Sequence, residues 1–325
     1  MALKVGMCTA MNAEMFTKLE TAGIASAVDF ISRDPEVLSR ELNVAYKDVC
    51  SIRRVLLAEL CAHPVSALKL YEDALSSLTI LSTGCSVLDQ LLDGGLYTGE
   101  LTELAGDTAT GKTRICHWCA AAAVKNDLSS ALYIDMGGSF DIPTILDAMA
   151  EVAGDQAAVQ SRLRRIKCLQ VFDVFQLFAL LEKVMADSSK EELPSEWGNL
   201  KLVIVENLPL FIYPIMGANA PYNQGILSRL GLKLKQLAGS LSVAVLVTNS
   251  LVSMYGQGRT DQQRKAALGR VWSHVPHNRI ILNRVGSDSA GFPRPTEVEA
   301  TLVKSSHQQT PFTATLNLAD RDAST

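Results

Sequence analysis

From Ser82 onward, short apolar runs alternate with stretches of helical periodicity, and this alternation limits the folds open to the chain. Runs such as Leu202–Val205 and Val243–Val247 are rich in β-branched residues. They are typical of strands buried on both faces of a parallel sheet. Strands separated by helices of about ten to fifteen residues form βαβ units. We therefore predict an α/β fold with a mostly parallel, twisted sheet.

The alternation also predicts the domain organisation. Residues 1–60 contain no convincing strand, and Asp34-Pro35 is a typical helix start with an N-cap and a proline at the first position. We expect a small all-helical N-terminal domain over residues 1–60, a linker over 61–82 and the α/β core over 83–325. The predicted strands of the core are Leu101–Ala105, Ala131–Asp135, Lys167–Val171, Leu202–Glu206, Val243–Thr248, Arg279–Leu282 and Val298–Val303.

The composition excludes several classes of protein. The apolar runs are far shorter than the roughly 20 residues that a membrane helix needs, and we expect no membrane partner. The N-terminus lacks the pattern of a secretory signal, and the seven cysteines have no regular spacing, which fits a reducing compartment. With 30 Lys and Arg against 34 Asp and Glu, any affinity for nucleic acid must come from local basic segments.

One segment carries a strong chemical signature. Residues 106–113 match the pattern G-x-x-x-x-G-K-[ST] and lie between a predicted strand and a helical run. In such a loop, backbone N–H groups surround a phosphate and the helix N-terminus adds its dipole. The lysine would bridge the β- and γ-phosphates and the last hydroxyl would ligate Mg²⁺. We predict a nucleotide site formed by Gly106, Asp107, Thr108, Ala109, Thr110, Gly111, Lys112 and Thr113; the alternative is a plain glycine-rich turn.

Two further residues are candidates for this site. Glu206 ends the apolar run at 202–205, where a nucleotide-binding protein of this type holds Mg²⁺ with an acid, so we expect it to act with Thr113. The alternative is a carboxylate that faces solvent. Asn249 follows the strand at 243–248 and could sense a γ-phosphate, or could satisfy a turn. Neither Asp135 nor Asp141 is placed to orient an attacking water.

These motifs occur in the order expected of RecA-type recombinases. The lead-in Gly94–Glu100 and the segment Gly111–Cys116 resemble the eukaryotic members, and the N-terminal helices resemble their small DNA-associated domain. Within the family the chain is most similar to the delta-type paralogues of the main strand-exchange recombinase, on segments such as Arg53–Ala58 and Lys304–Ser306. The resemblance implies a RecA-like core, ATP and Mg²⁺ as cofactors, and a nuclear location.

The resemblance also implies a function and partners. Such paralogues are mediators of homologous-recombination DNA repair that work in hetero-complexes with other paralogues and affect the main recombinase indirectly. Single-stranded DNA would be contacted by loops after the central strands. The loop Tyr213–Gly225 is uncharged, whereas Ser250–Ala266 is basic and flexible in composition. Its candidate DNA-binding residues are Arg259, Arg264 and Lys265; an ordinary solvated loop is the alternative.

The departures from the family pattern bear on catalysis and assembly. Filament-forming members carry a catalytic glutamate where this chain has Gly137, and an aspartate where it has Glu206. Their aromatic-x-x-Ala motif for polymerisation is replaced by Pro64–Ala67. We therefore expect ATP binding with weak DNA-stimulated hydrolysis at most. The alternatives are an autonomous DNA-stimulated ATPase that catalyses strand exchange, and a small-molecule kinase.

Overall fold

A computed structural model of the chain describes residues 3, 6–24, 26–61, 64–125, 128–150, 155–188, 197–213, 220–253, 264–285 and 296–319. Its internal contacts divide the chain into two compact units, Met1–Glu72 and Asp73–Thr325. No helix among the described residues combines the length and the apolar character needed to cross a membrane.

The first unit is a small helical bundle. Its apolar core includes Leu19, Phe30, Leu38 and Ile52, one from each of four helices, and all four are fully buried. The Asp34 carboxylate accepts hydrogen bonds from the amides of the next helix, which begins at Pro35, so the predicted helix start is confirmed. The helices are α1 (Ala13–Thr21), α2 (Ala27–Ser32), α3 (Pro35–Glu41) and α4 (Tyr46–Leu60).

The segment predicted as a linker contains regular structure. A helix, α5 (Ala67–Ser77), spans the boundary between the two units, and every residue from 64 to 80 is exposed. Strand β1 (Ile80–Leu81) follows and pairs with β2 (Leu96–Tyr97) of the second unit. Strand β1 has only two residues, of which Leu81 is buried, and this is too short for a sequence pattern to indicate a strand.

The second unit is the predicted α/β fold. Its main sheet has the order β11-β10-β9-β3-β7-β6-β4-β5, with β8 paired to β7. The strands from β9 to β5 along this order run parallel, whereas β10, β11 and β8 are antiparallel to their neighbours. These strands are β3 (Leu101–Gly106), β4 (Ser130–Asp135), β5 (Ile166–Gln170), β6 (Leu200–Glu206), β7 (Ala244–Ser253), β8 (Arg264–Ala266), β9 (Asn278–Arg284), β10 (Glu297–Lys304) and β11 (Phe312–Asn317).

Helices cover both faces of this sheet. Successive residues of a strand point to opposite faces of the sheet. In β4, Tyr133 belongs to the apolar core on one face, and Leu132 and Ile134 belong to the core on the other. Because both faces are buried, the central strands are mostly apolar, and this made them recognisable in the sequence. The helices are α6 (Ser86–Leu91), α7 (Lys112–Ala123), α8 (Ile142–Met149), α9 (Gln156–Leu163), α10 (Val174–Ser188), α11 (Pro209–Ile212), α12 (Ala220–Leu241) and α13 (Gly269–Ser273).

Candidate nucleotide site

The loop between β3 and α7 has a conformation that depends on its two glycines. A Cβ at Gly106 would lie 2.5 Å from Thr110 Oγ1 and 3.0 Å from the carbonyl oxygen of Leu282. Gly111 precedes α7 with φ +86°, and a Cβ there would lie 2.7 Å from the Leu318 side chain. Neither position can hold a larger residue without a shift of its neighbours.

Lys112 begins α7 and turns its side chain back into the loop. Its ammonium donates hydrogen bonds to the carbonyl oxygens of Gly106 at 2.8 Å and Asp107 at 2.7 Å. Burial lowers the pKa of Lys112 below its ordinary value, against the opposing charges of Asp107 and Glu206. At the other end of the loop, Arg284 donates to the carbonyl oxygen of Thr108 at 2.6 Å. The loop is therefore held by cationic side chains on both sides.

Glu206 and Thr113, the two predicted Mg²⁺ ligands, lie in contact. The Thr113 hydroxyl donates to one oxygen of the Glu206 carboxylate, and the Tyr133 hydroxyl donates to the other. Glu206 is buried, so the alternative of a solvent-facing carboxylate is wrong. Burial raises the pKa of Tyr133 far above its ordinary value, and that hydroxyl therefore stays protonated. Oxygen ligands of this kind suit Mg²⁺.

Asp135 ends β4 beside Glu206 and is engaged by the chain that follows it. Its carboxylate accepts hydrogen bonds from the amides of Gly137 at 3.0 Å, Ser139 at 3.2 Å and Phe140 at 3.0 Å. Burial raises the pKa of Asp135, but these hydrogen bonds outweigh it and leave that pKa below its ordinary value. Asp135 thus stays ionised and shapes the loop after β4.

The side chain of Asn249, the predicted phosphate sensor, forms hydrogen bonds within the protein. The side chain is buried, and its Nδ2 donates to Glu103 Oε1 at 2.6 Å while its Oδ1 accepts from the amide of Ser250 at 2.8 Å. Because both ends of the carboxamide are engaged, a contact with a γ-phosphate would require these bonds to break. The phosphate sensor at Asn249 stays a prediction, and the described contacts give this residue a structural role beside it.

Glu103 is a residue that the sequence reasoning missed. It lies fully buried in β3 and accepts hydrogen bonds from Asn249, from Trp272 Nε1 at 3.0 Å and from Arg279 Nε, with which it forms an ion pair. A glutamate in the middle of a mostly apolar strand predicts a buried ion pair, because a buried charge needs a partner. The sequence could not identify that partner, which is 176 residues away.

Of the three candidate DNA-binding residues, Lys265 has a described side chain. Arg259 lies outside the described residues, and of Arg264 only the backbone is described, in β8. Lys265 is exposed and lies in register with Val252 of β7. The predicted flexible loop is thus corrected at both ends, since residues 250–253 and 264–266 form an antiparallel pair of strands.

The other predicted loop also differs from its expectation. Residues 214–219 lie outside the described part of the chain, but residues 220–225 belong to α12. The sequence predicts a loop as far as Gly225, and both Gly225 and Pro221 are typical of loops. The uncharged segment that was assigned to the loop therefore contributes a first helical turn.

Comparison with known proteins settles the family. The family model described as Rad51 matches residues 75–290, and the one described as the RAD51D N-terminal domain matches residues 1–59. The chain belongs to the Rad51 family. A relative from Bos taurus, named "DNA repair protein RAD51 homolog 4", is 37% identical over 289 residues, covering 89% of this chain and 87% of its own.

Two further relatives show the range of the Rad51 family around this chain. The Mus musculus protein of the same name is 35% identical over 309 residues, covering 95% of this chain and 92% of its own. The "DNA repair and recombination protein RadA" of Aeropyrum pernix is 26% identical over 284 residues and covers 82% of each chain. The RecA-like fold and the resemblance to delta-type paralogues that the motifs indicated are both confirmed.

The buried Glu103 predicts a large cost for its removal. Glu103→Ala should lower the free energy of unfolding of the second unit by about 3–5 kcal/mol, because Arg279 is left as an unpaired buried charge. All three tryptophans lie in this unit, so denaturant unfolding followed by their fluorescence measures the change. Glu297→Ala, at an exposed strand position, is the control and should change stability by less than about 0.5 kcal/mol. Equal effects of the two variants would contradict the prediction.

Proposed function

We propose that this Rad51-family chain binds ATP with Mg²⁺ at residues 106–113 and acts as a mediator of homologous-recombination DNA repair. In this proposal it works in the nucleus, within a hetero-complex of Rad51 paralogues that contacts single-stranded DNA and affects the main recombinase indirectly. The names of its relatives, which are DNA repair and recombination proteins, support the assignment to repair.

The contact between Thr113 and Glu206 is the observation that carries the nucleotide part of the proposal. It joins a hydroxyl at the start of α7 to a buried carboxylate at the end of β6, beside a loop too tight for side chains at its two glycines. When bound, Mg²⁺ would supply positive charge to the phosphates. Thr113 and Glu206 would hold it, and Lys112 would exchange its loop carbonyl partners for phosphate oxygens.

The chain's own residues argue for binding over rapid hydrolysis. In the described part of the site, the carboxylates of Asp135 and Glu206 are both committed to hydrogen bonds within the protein. Gly137, where filament-forming members carry a glutamate, offers no side chain to take a proton from water. The site therefore favours a nucleotide-bound adaptor that turns over slowly.

Lys112→Ala tests the nucleotide assignment. Loss of the ammonium should weaken the binding of ATP in the presence of Mg²⁺ by about 10- to 100-fold, the cost of a charge-assisted contact. Calorimetric titration measures the affinity. Lys125→Ala, which removes an exposed lysine beyond the end of the same helix, should leave it unchanged. Tight ATP binding by Lys112→Ala would show that the loop does not hold the triphosphate.

The rate of ATP turnover with and without single-stranded DNA separates the adaptor from the alternative of an autonomous strand-exchange ATPase. Without a group that activates water, we expect slow turnover that DNA changes little. A DNA-induced rise by orders of magnitude would favour the alternative. Variants that lose DNA binding, with Lys265→Glu as the first choice because its side chain is exposed, serve as controls for the DNA effect.

The exposed helix α5 supports the proposal of a partner. Leu68, Tyr71 and Leu75 follow one another at helical spacing and are exposed by 66%, 61% and 62%. An apolar stripe of this kind in a described segment that contains no buried residue is typical of an interaction surface. Within a hetero-complex of paralogues, another family member would cover it.

Leu75→Arg tests this surface. A charge within the stripe should abolish or strongly reduce co-purification of the full chain with other Rad51 paralogues expressed alongside it, because burial of an unpaired charge is costly. Ser77→Arg places the same side chain on α5 about 200° around the helix from Leu75, and should leave co-purification intact. Equal recovery of partners with both variants would exclude α5 as the contact.

A further inference from the structure

The crevice between the ends of β4 and β6 contains a residue that the site described above does not use. Asn207 follows Glu206 directly and has a left-handed backbone with φ +62°. Its N–H donates to Thr248 Oγ1 at 2.7 Å, which fixes the backbone against β7. Asparagine tolerates this conformation better than most residues. The backbone from which the Asn207 side chain extends, at the end of β6, is therefore held in one conformation.

The Asn207 side chain lies against Gly137. A Cβ at Gly137 would be 3.1 Å from Asn207 Nδ2, closer than an ordinary van der Waals contact. This proximity follows from the sheet, because Asp135 and Glu206 are in register on neighbouring parallel strands and the chain leaves both strands at the same edge. The carboxamide of Asn207 therefore occupies the side of the crevice toward which a side chain at position 137 would extend.

The polar side chains named for this crevice form hydrogen bonds within the protein, with the exception of Asn207. The carboxylate of Asp135 accepts loop amides, that of Glu206 accepts two hydroxyls, and Asn249 is bound to Glu103. Among the residues that the structure describes, no hydrogen bond to the Asn207 carboxamide is formed, although its own N–H is engaged. Its donor and acceptor are thus available to a ligand at the carboxyl edge of the sheet.

We infer that the Asn207 carboxamide contacts the terminal phosphate of a bound nucleoside triphosphate and makes the site prefer a triphosphate over a diphosphate. The inference rests on the proposed nucleotide site. Glu206 fixes Thr113, which would hold Mg²⁺ near the last two phosphates, and Asn207 is the next residue along the chain.

The chemistry of the carboxamide fits this task. It is neutral, so it can donate to a phosphate oxygen without adding a third negative charge beside Asp135 and Glu206. It also cannot accept a proton as a carboxylate does. A triphosphate held in this way is recognised at its terminal phosphate while the attack of water receives no help from a base. Asn207 would thus be a specificity-determining residue of a site that keeps its nucleotide.

Asn207→Gly tests the inference, because glycine adopts φ +62° without strain and removes only the carboxamide. The affinities of the full chain for ADP and for a non-hydrolysable ATP analogue are measured by calorimetric titration with Mg²⁺. The variant should lose about tenfold in affinity for the analogue, the worth of a hydrogen bond to a charged group, with ADP unaffected. Asn43→Gly, at another exposed asparagine with positive φ, is the matched control and should change neither affinity.

A second variant addresses the charge. Asn207→Asp keeps the size of the side chain but places a carboxylate beside the terminal phosphate, so it should weaken binding of the analogue more than Asn207→Gly does. An unchanged preference for the analogue in either variant would overturn the inference and leave the nucleotide site intact. If the wild-type chain binds neither nucleotide, the proposed function itself fails. A wild-type chain that binds both equally would overturn the inference alone.

Discussion

The parallel register of the central strands is the constraint on which the candidate site depends. Because β4, β6, β7 and β3 run in the same direction, their carboxyl ends meet at one edge of the sheet. Asp135 and Glu206 stand side by side there, and the glycine-rich loop leaves β3 at the same edge. The hydrogen bond between Thr113 and Glu206 joins residues 93 positions apart in the chain, and only this register brings them together. Ligand sites of open α/β sheets form at this edge for the same reason.

The polar residues at and behind this edge divide into those that build the protein and those left for a ligand. Glu103 with Arg279, Trp272 and Asn249 forms a buried network inside the sheet. Such a network is stable only when its members are satisfied, so a nucleotide contact by one of them would have to replace a bond of the network. Asp135 is likewise committed to the loop amides. Lys112, Thr113 and Asn207 remain at the surface of the crevice.

Much of the fold followed from local sequence patterns. The seven predicted strands are all present, and the central ones are conspicuous because strands buried on both faces are rich in apolar residues. The strands that were missed are β1, β2, β8 and β11, which are short or lie at an edge of a sheet. In β11, which borders the main sheet, Phe312 and Thr313 are exposed and the apolar pattern is weak. Helix α5 lies in the segment predicted as a linker, and all of its residues are exposed.

The sequence by itself determined the glycine-rich loop, its lysine and threonine, and the acid at the end of β6, because each is tied to a strand or a turn that neighbouring residues specify. The tertiary structure decided how the remaining polar side chains are used. Asn249 and Asn207 each follow an apolar run, and nothing local distinguishes them. Asn249 donates a hydrogen bond to Glu103 in the core, whereas Asn207 lies against Gly137, which has no side chain. Partners that lie on other strands decide such roles, and a linear pattern does not contain them.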